Sequence, residues 1–544
     1  MSGWAAKIGG PALEYSPSLR VSYRVVALAL LVFSSLLFLP GLGAVHLFDW
    51  DEINFAEIAR EMVVTGDYGR PQIGFAPFYE KPPLFAWLQA LCFRLFGTSE
   101  WAARLPNALC GVLTLQLLLV WGKRQQSTRF GLWWAALYAG SLLPQLYFHS
   151  GIIDPWFNLF TFAALWGLLH GGSALRSGVW LGAAILTKGP VAAGLLFLIF
   201  ALVPFVNRRQ NPFHPRRILL FYLGAALLPL LWFGYEYLAH GPTFIEEFIR
   251  YQIRLLTTED AGHGGFPGYH FAVLLLGCFP ASLLALGRWR TAQFTEQVMW
   301  LLLAVVLVVF SLVQSKIVHY SSLAYFPITY LAARYVYGLG ERKLPTLLAV
   351  SLTAVGLLWS LAALALPYLG SHPELLRELL QHDPFALANL EAAVEWHPWD
   401  YGVGGVLLVA LAVFHWQWRR GRNQRALASL LVGTTLYSLV LLLAFAPRIE
   451  AYSQRAAIDF YKSLQDRPVY VRAVGFKSYA PYFYARYRPA PDPRHRDLDW
   501  LLHGTVDRPT YLVTKINKRE RLDTLPQLRA LTSRNGFVLY ERVR

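Results

Sequence analysis

Residues 25–61 read VVALALLVFSSLLFLPGLGAV and then HLFDWDEINFAEIARE, an uncharged apolar run that stops at a cluster of acids. A helix needs about 20 mostly apolar residues to cross the hydrocarbon core, and 25–45 meets that length. Outward from this stretch, comparable runs occupy 103–121, 131–149, 156–171, 177–206, 217–238, 271–287, 297–314, 318–338, 345–368, 402–418 and 427–446. The run 177–206 is too long for one span and contains Lys188-Gly189-Pro190. Proline lacks a backbone donor and clashes with the preceding turn, so the run divides there into two helices. The expectation is a polytopic α-helical membrane protein with about thirteen spans.

Composition points the same way. Hydrophobic residues make up 55% of the 544 and charged residues 15%, and mean hydropathy is +0.38. A soluble chain carries nearer a quarter charged residues. The net charge of +16 would suit nucleic acid in a soluble protein, but here the basic residues sit in short clusters between apolar runs. That is the pattern of cytoplasmic anchors, and it argues for no nucleic-acid partner. With the N-terminus cytoplasmic, every inner loop carries Lys or Arg and almost no acid, for example Lys123, Arg124 and Arg129, then Arg208, Arg209, Arg216 and Arg217, then Arg419, Arg420, Arg422 and Arg425. Arg20 and Arg24 before the first run read as the flank of a retained signal anchor. Cys92, Cys110 and Cys278 all fall in or beside apolar segments, which speaks against a disulfide framework.

The opposite face differs in kind. Its first loop, 46–100, holds two helix-like pieces, 53–64 and 83–96, too short or too amphipathic to span and so expected along the membrane surface. Further outer loops lie at 239–270 and 369–401. After residue 446 the composition becomes charged, with strand-like runs at Val469-Tyr470-Val471, Tyr511-Leu512-Val513 and Phe537-Val538-Leu539-Tyr540. The division is therefore a membrane domain over 1–446 and a small outer α/β domain over 447–544.

Ionisable groups beside a bilayer are costly, and those on the outer face need a reason. Acids gather at Asp49-Trp50-Asp51-Glu52, at Tyr79-Glu80-Lys81-Pro82-Pro83 and at Asp154-Pro155. Each has a structural alternative: first-turn acids favour a helix dipole, prolines open helices, and Asp154 could cap the helix from Trp156. Bases fall at Lys188, at Arg250, Arg254, His263 and His270, and at Lys316, His319 and Tyr320. Snorkelling explains any one lysine. It does not explain why acids and bases share one face.

The ordered motifs resemble the protein O-mannosyltransferase superfamily, above all its bacterial branch of lipid A aminoarabinose transferases. They are Asp51-Glu52, Ala56-Glu57-Ile58-Ala59-Arg60-Glu61-Met62, Gly66-Asp67-Tyr68, Tyr79-Glu80-Lys81-Pro82-Pro83, Asp154-Pro155, Leu186-Thr187-Lys188-Gly189-Pro190, Gly262-His263-Gly264-Gly265 and Ser315-Lys316 with His319-Tyr320. The resemblance covers residues 20–340; Gly475-Phe476-Lys477-Ser478-Tyr479 is similar as well. It implies a C-type glycosyltransferase fold in the bacterial inner membrane, with the site and the C-terminal domain on the periplasmic side. The implied reaction moves a sugar from a polyprenyl (undecaprenyl) phosphate to lipid A or another envelope glycan, with inversion. Asp51 and Asp154 are then the catalytic acids. Lys81, Lys188, Arg254, Lys316 and His319 would hold the donor phosphate, and Glu80 with His263 a divalent metal such as Zn, Mg or Mn. Glu52, Tyr79 and Tyr320 are further site candidates. Asn54-Phe55 departs from the Arg-Tyr pair usual in that subgroup, which leaves the sugar and the acceptor open.

Other functions fit less well. A lipid-linked sugar transporter would place polar residues near mid-bilayer in both halves of a repeat, and no repeat is present. An O-antigen ligase lacks the Asp-Glu and Glu-Lys-Pro motifs. A protein O-glycosyltransferase shares all of these features and differs only in acceptor. A scaffolding role leaves the outer acids and bases unexplained.

Overall fold

The computed structural model describes residues 22–49, 51–207, 211–257, 264–340, 342–490 and 492–543; the side chains of Asp51, Leu256 and Thr257 lie outside the described set. The chain begins with helix α1 (Tyr23–Phe38), followed by α2 (Asp51–Thr65), α3 (Leu84–Phe96), α4 (Glu100–Gln125), α5 (Thr128–Ala139), α6 (Leu142–Tyr147) and α7 (Asp154–Leu169). Next come α8 (Ala174–Lys188), α9 (Val191–Asn207), α10 (Pro215–His240), α11 (Thr243–Thr257), α12 (Tyr269–Gly277), α13 (Ala281–Leu286), α14 (Phe294–Leu312) and α15 (Tyr325–Leu339). Then follow α16 (Thr346–Ser371), α17 (Glu374–Leu379), α18 (Pro384–Asn389), α19 (Gly402–Arg419) and α20 (Asn423–Ser453). Among the described residues, six helices are long and apolar enough to cross a membrane by length and composition. The protein is a multi-pass membrane protein.

The break expected at Lys188-Gly189-Pro190 separates α8 from α9, with Gly189 at a φ of 104°. Three runs read as single spans are instead broken or mixed. The run 131–149 divides into α5 and α6 around Gly140-Ser141, and 271–287 into α12 and α13 around Cys278-Phe279-Pro280. The run 318–338 opens as a 3₁₀ turn, Val318–Ala324, before α15. Pieces of this length bury their backbone within a helical core that satisfies it, where lipid could not.

Close helix approach sets the frame of the site. Gly178 and Gly182 of α8 face α10; a Cβ at these positions would lie 2.0 Å from the Phe221 carbonyl oxygen and 2.7 Å from that of Ala225. Gly224 of α10 meets Leu175 of α8 in the same way, at 2.2 Å. Small residues let helix backbones touch where lipid gives no hydrophobic drive for association. This contact fixes the axis of α8, and therefore its last residue, Lys188. On the other flank, Phe162 of α7 stacks on Phe326 of α15 with centroids 4.3 Å apart. Asn158 donates to the Ser322 hydroxyl at 2.8 Å, tying α7 to the 3₁₀ turn that carries His319.

The outer loop forms a short hairpin, β1 (Gln72–Ile73) with β2 (Ala76–Pro77), between α2 and α3. Helix α20 runs past the expected boundary at 446 to Ser453 before α21 (Arg455–Ser463) begins. Beyond it lie β3 (Tyr470–Val474), α22 (Ala480–Tyr484), β4 (Thr510–Lys515), β5 (Leu528–Arg534) and β6 (Phe537–Arg542). The sheet order is β3-β4-β6-β5, with only β3 and β4 parallel. This α/β unit shares a buried apolar cluster with α2 and α3, which includes Phe55, Phe93, Tyr461 and Phe483.

Candidate active site

Helix α2 is acid-rich yet buried on most of its length, so each charge needs a partner. Glu52 meets Arg104 of α4 through two bonds, 2.8 Å from Nε and 2.7 Å from Nη2. It also accepts from the backbone N–H of Phe48 at 2.8 Å and of Gly151 at 2.5 Å. Burial pushes the Glu52 carboxyl up, but the Arg104 charge and these bonds win and hold it below the usual carboxylate range. Arg104 spends its remaining donors on the carbonyls of Leu42, Val45 and His46. One ion pair therefore joins the end of the first span, the head of α2 and the loop before α7. Glu52, a site candidate by sequence, is a positioning residue. Glu52→Gln strands a buried guanidinium and should cost about 3–5 kcal/mol of stability, read as a lowered Tm of the purified protein.

Further along α2, Arg60 binds Glu57 at 2.6 Å, and Glu61 accepts from Gly74 and Phe75 of the hairpin at 2.5 and 2.8 Å. Burial and the Glu57 carboxylate push the Glu61 carboxyl above the usual carboxylate range. These groups hold the loop in place rather than facing a substrate.

The loop before α7 is held from the other side by Asn107, which donates to the carbonyls of Ser150 and Ile152, both at 2.6 Å. Asp154 then opens α7 and is buried. Asp154 is the first residue of α7, after the N-cap Ile153, and its carboxylate turns to Lys188. Its Oδ1 accepts from the Lys188 ammonium at 2.6 Å, and its Oδ2 lies 3.9 Å from His319 Nε2. The Lys188 ammonium also sits 5.5 Å from the Phe157 ring and 5.2 Å from that of Tyr320.

These groups line a cavity of about 610 Å³, within the range of small-molecule sites. Asp49, Glu80 and Asp154 supply its described carboxylates; Lys81, Lys188 and Lys477 supply its described lysines. Lys81 donates to the Tyr251 hydroxyl at 3.2 Å and lies 4.4 Å from the ring centroid. Arg254, exposed on α11, lies 5.1 Å from the same ring. Glu80 pairs with Lys477 of the C-terminal unit at 3.6 Å.

Several expected residues are placed differently. Lys316 is buried and turns its ammonium to the carbonyls of Phe310, Ser311 and Val313, at the end of α14. A lysine there satisfies orphan carbonyls and the helix dipole. It does not line the cavity, and Gly265 packs against its stem, where a Cβ would lie 2.8 Å from Cγ. Tyr79 faces away, its ring 5.6 Å from Phe244 in the aromatic cluster of α10 and α11. The Asp51 side chain and His263 lie outside the described residues. Among the described residues no three His, Cys, Asp or Glu converge, and Glu80 faces a lysine. The described side chains thus do not build a metal centre around Glu80.

Tyr251 and Lys477 had no assigned role from sequence. An aromatic between two cations, Lys81 and Arg254, has no short-range signature when the lysine is 170 residues away. Lys477 stood inside a motif noted for its likeness, and its charge between aromatic residues was the available signal.

Residues 80–233 match the family described as dolichyl-phosphate-mannose-protein mannosyltransferase. The chain is similar to an undecaprenyl phosphate-alpha-4-amino-4-deoxy-L-arabinose arabinosyl transferase of Shewanella sediminis, 26% identical over 63% of this chain and 66% of the relative. A namesake from Pectobacterium carotovorum is 27% identical over 64% of this chain and 65% of its own length. The chain thus spans just under two thirds of these relatives. ArnT from Cupriavidus metallidurans, solved with undecaprenyl phosphate bound, superposes with a TM-score of 0.72 over 96% of this chain and 97% of that one, at 18% identity. The chain therefore has the fold of ArnT, and it resembles the protein mannosyltransferase family over the segment that carries Glu80, Lys81, Asp154 and Lys188.

Proposed function

We propose that this protein is a membrane glycosyltransferase. It moves a sugar from undecaprenyl phosphate, or a like polyprenyl phosphate, to lipid A or another lipopolysaccharide component at the periplasmic face of the bacterial inner membrane. The observation that carries this reading is the Asp154–Lys188 pair, 2.6 Å apart, in a cavity that also holds Lys81. The relatives' names and the bound lipid of the similar structure support the same donor class.

In the reaction the acceptor oxygen bonds to the anomeric carbon as the bond from that carbon to the donor phosphate oxygen breaks. The electron pair leaves with the phosphate, and positive charge grows on the sugar ring. Lys81 is placed to take the phosphate charge in a site walled by apolar side chains, where such contacts count most. Lys188 orients Asp154 beside the sugar. A hydroxyl acceptor passes its proton to a carboxylate, Asp154 or Asp51. A phosphate acceptor is already ionised and needs positioning only. Asp51 heads α2 directly beside Glu52, so the Glu52–Arg104 anchor fixes the backbone that presents it.

A metal at Glu80 would need His263 and the departure of Lys477, so no step is assigned to one. The test of the donor class is thermal unfolding with undecaprenyl phosphate against the free sugar. At a hundredfold excess over Kd the lipid should stabilise the protein by about 2.7 kcal/mol. An equal response to both ligands would remove the lipid from the reading.

A further inference from the structure

Lys477 reaches the cavity from the C-terminal unit, 24 residues beyond the end of α20 at Ser453, and the local chain is built to present it. The backbone leaves β3 at Val474 and turns at Gly475, whose φ of 78° lies in the left-handed region open to glycine. Phe476 then packs on Phe537 with centroids 6.0 Å apart, and Tyr479 stacks on Tyr482 at 6.4 Å. The Tyr479 N–H donates to Asp49 Oδ1 at 3.4 Å, docking the loop on the head of the first outer segment. Two aromatic anchors thus flank one cation. That cation faces the same cavity as Lys81 and Asp154.

Its partner there is weakly held. Glu80 and Lys477 stand 3.6 Å apart with side chains 25% and 42% exposed, so water screens the pair. A phosphate monoester, as on the acceptor or on the released lipid, brings more charge and more acceptor oxygens than one carboxylate, and the donor's phosphodiester brings one charge on two oxygens. The described lysines and carboxylates of the cavity number three each, so an arriving anion needs a cation released from its carboxylate partner.

We propose that Lys477 is a substrate-binding residue, supplied by the C-terminal unit, whose ammonium leaves Glu80 to take the phosphate oxygens of a substrate in the cavity. The proposal rests on the glycosyltransferase reading. The phosphate is either the donor's or one on the acceptor, and Glu80 is the carboxylate that occupies Lys477 until that phosphate arrives.

The test compares Lys477→Met, Lys477→Arg and Glu80→Gln in the full-length purified protein. One arm measures undecaprenyl phosphate affinity; the other measures the KM for lipid A with and without its phosphates. Lys477→Met should weaken one arm by about tenfold, the usual size of a lost charged hydrogen bond. Lys477→Arg should retain most of it, and Glu80→Gln should tighten the same arm because the competing carboxylate is gone. A loss in the first arm assigns the donor phosphate, and a loss confined to phosphate-bearing lipid A assigns the acceptor's. If Lys477 only latches the two units together, Lys477→Met and Glu80→Gln will lower Tm alike and weaken both arms alike, which overturns the proposal. Unchanged affinity and KM in Lys477→Met, with wild type binding normally, overturns it too. Wild type that does not bind undecaprenyl phosphate saturably overturns the function reading itself, a separate outcome.

Discussion

Replacing Asp154 by Asn should slow transfer to a hydroxyl acceptor by about 10²–10⁴-fold, the usual worth of a positioned acid–base group, while the protein still inserts and purifies. The expectation follows from where the carboxylate points. It is buried and gives Oδ1 to Lys188 at 2.6 Å inside the cavity. A helix cap lost to Asn would cost about 1 kcal/mol of stability or less and leave turnover near normal. Lys188→Met should impair the same step, because it leaves Asp154 buried without its counter-charge. The two changes belong to one unit, so the double variant should lose little more than either single one. Rates of the three variants in one assay check this. Full additivity would separate the two residues.

Lys81→Ala should weaken undecaprenyl phosphate binding by roughly ten- to a hundredfold, the range for removing one member of a desolvated charge contact. The Lys81 ammonium lies against the Tyr251 hydroxyl and ring at one side of the cavity, beside the amphipathic helix α11. Lys81→Arg need not restore affinity, since a planar fork does not occupy the position of a point ammonium. Titration of the lipid against the three proteins measures the effect. Equal affinity in wild type and Lys81→Ala would move the phosphate elsewhere.

Much of the architecture was legible because membrane helices announce themselves by length and charge. Pro190 marked the α8–α9 break through a local steric rule, and the break falls there. The α5–α6 and α12–α13 breaks were not seen, since Gly140-Ser141 and Cys278-Phe279-Pro280 interrupt hydrophobicity too little to register. The change to charged composition after residue 446 does not end the helix, and α20 carries Pro447 and continues to Ser453.

Within the site, residue types were readable and pairings were not. Asp154 and Lys188 were each singled out, but their bond spans 34 residues and depends on glycine contacts between α8 and α10. Lys316 misled because a lysine beside an apolar span looks like a ligand-binding cation. Its three carbonyl partners belong to the helix end just before it, a local arrangement that charge alone does not reveal. Glu52 and Tyr79 stood beside stronger candidates in sequence, yet one turns to Arg104 and the other to Phe244. Lys477 required the docking of a distant α/β unit on the first loop.

Transfer of a sugar from a polyprenyl phosphate to an envelope acceptor has a direct chemical readout. Mass spectrometry of lipid A and envelope glycans tests it most directly, in cells that make the wild-type protein, the Asp154→Asn variant or neither. An acceptor heavier by one sugar residue should appear in wild-type cells and be absent from the other two. Identical envelope lipids and glycans in all three would contradict it.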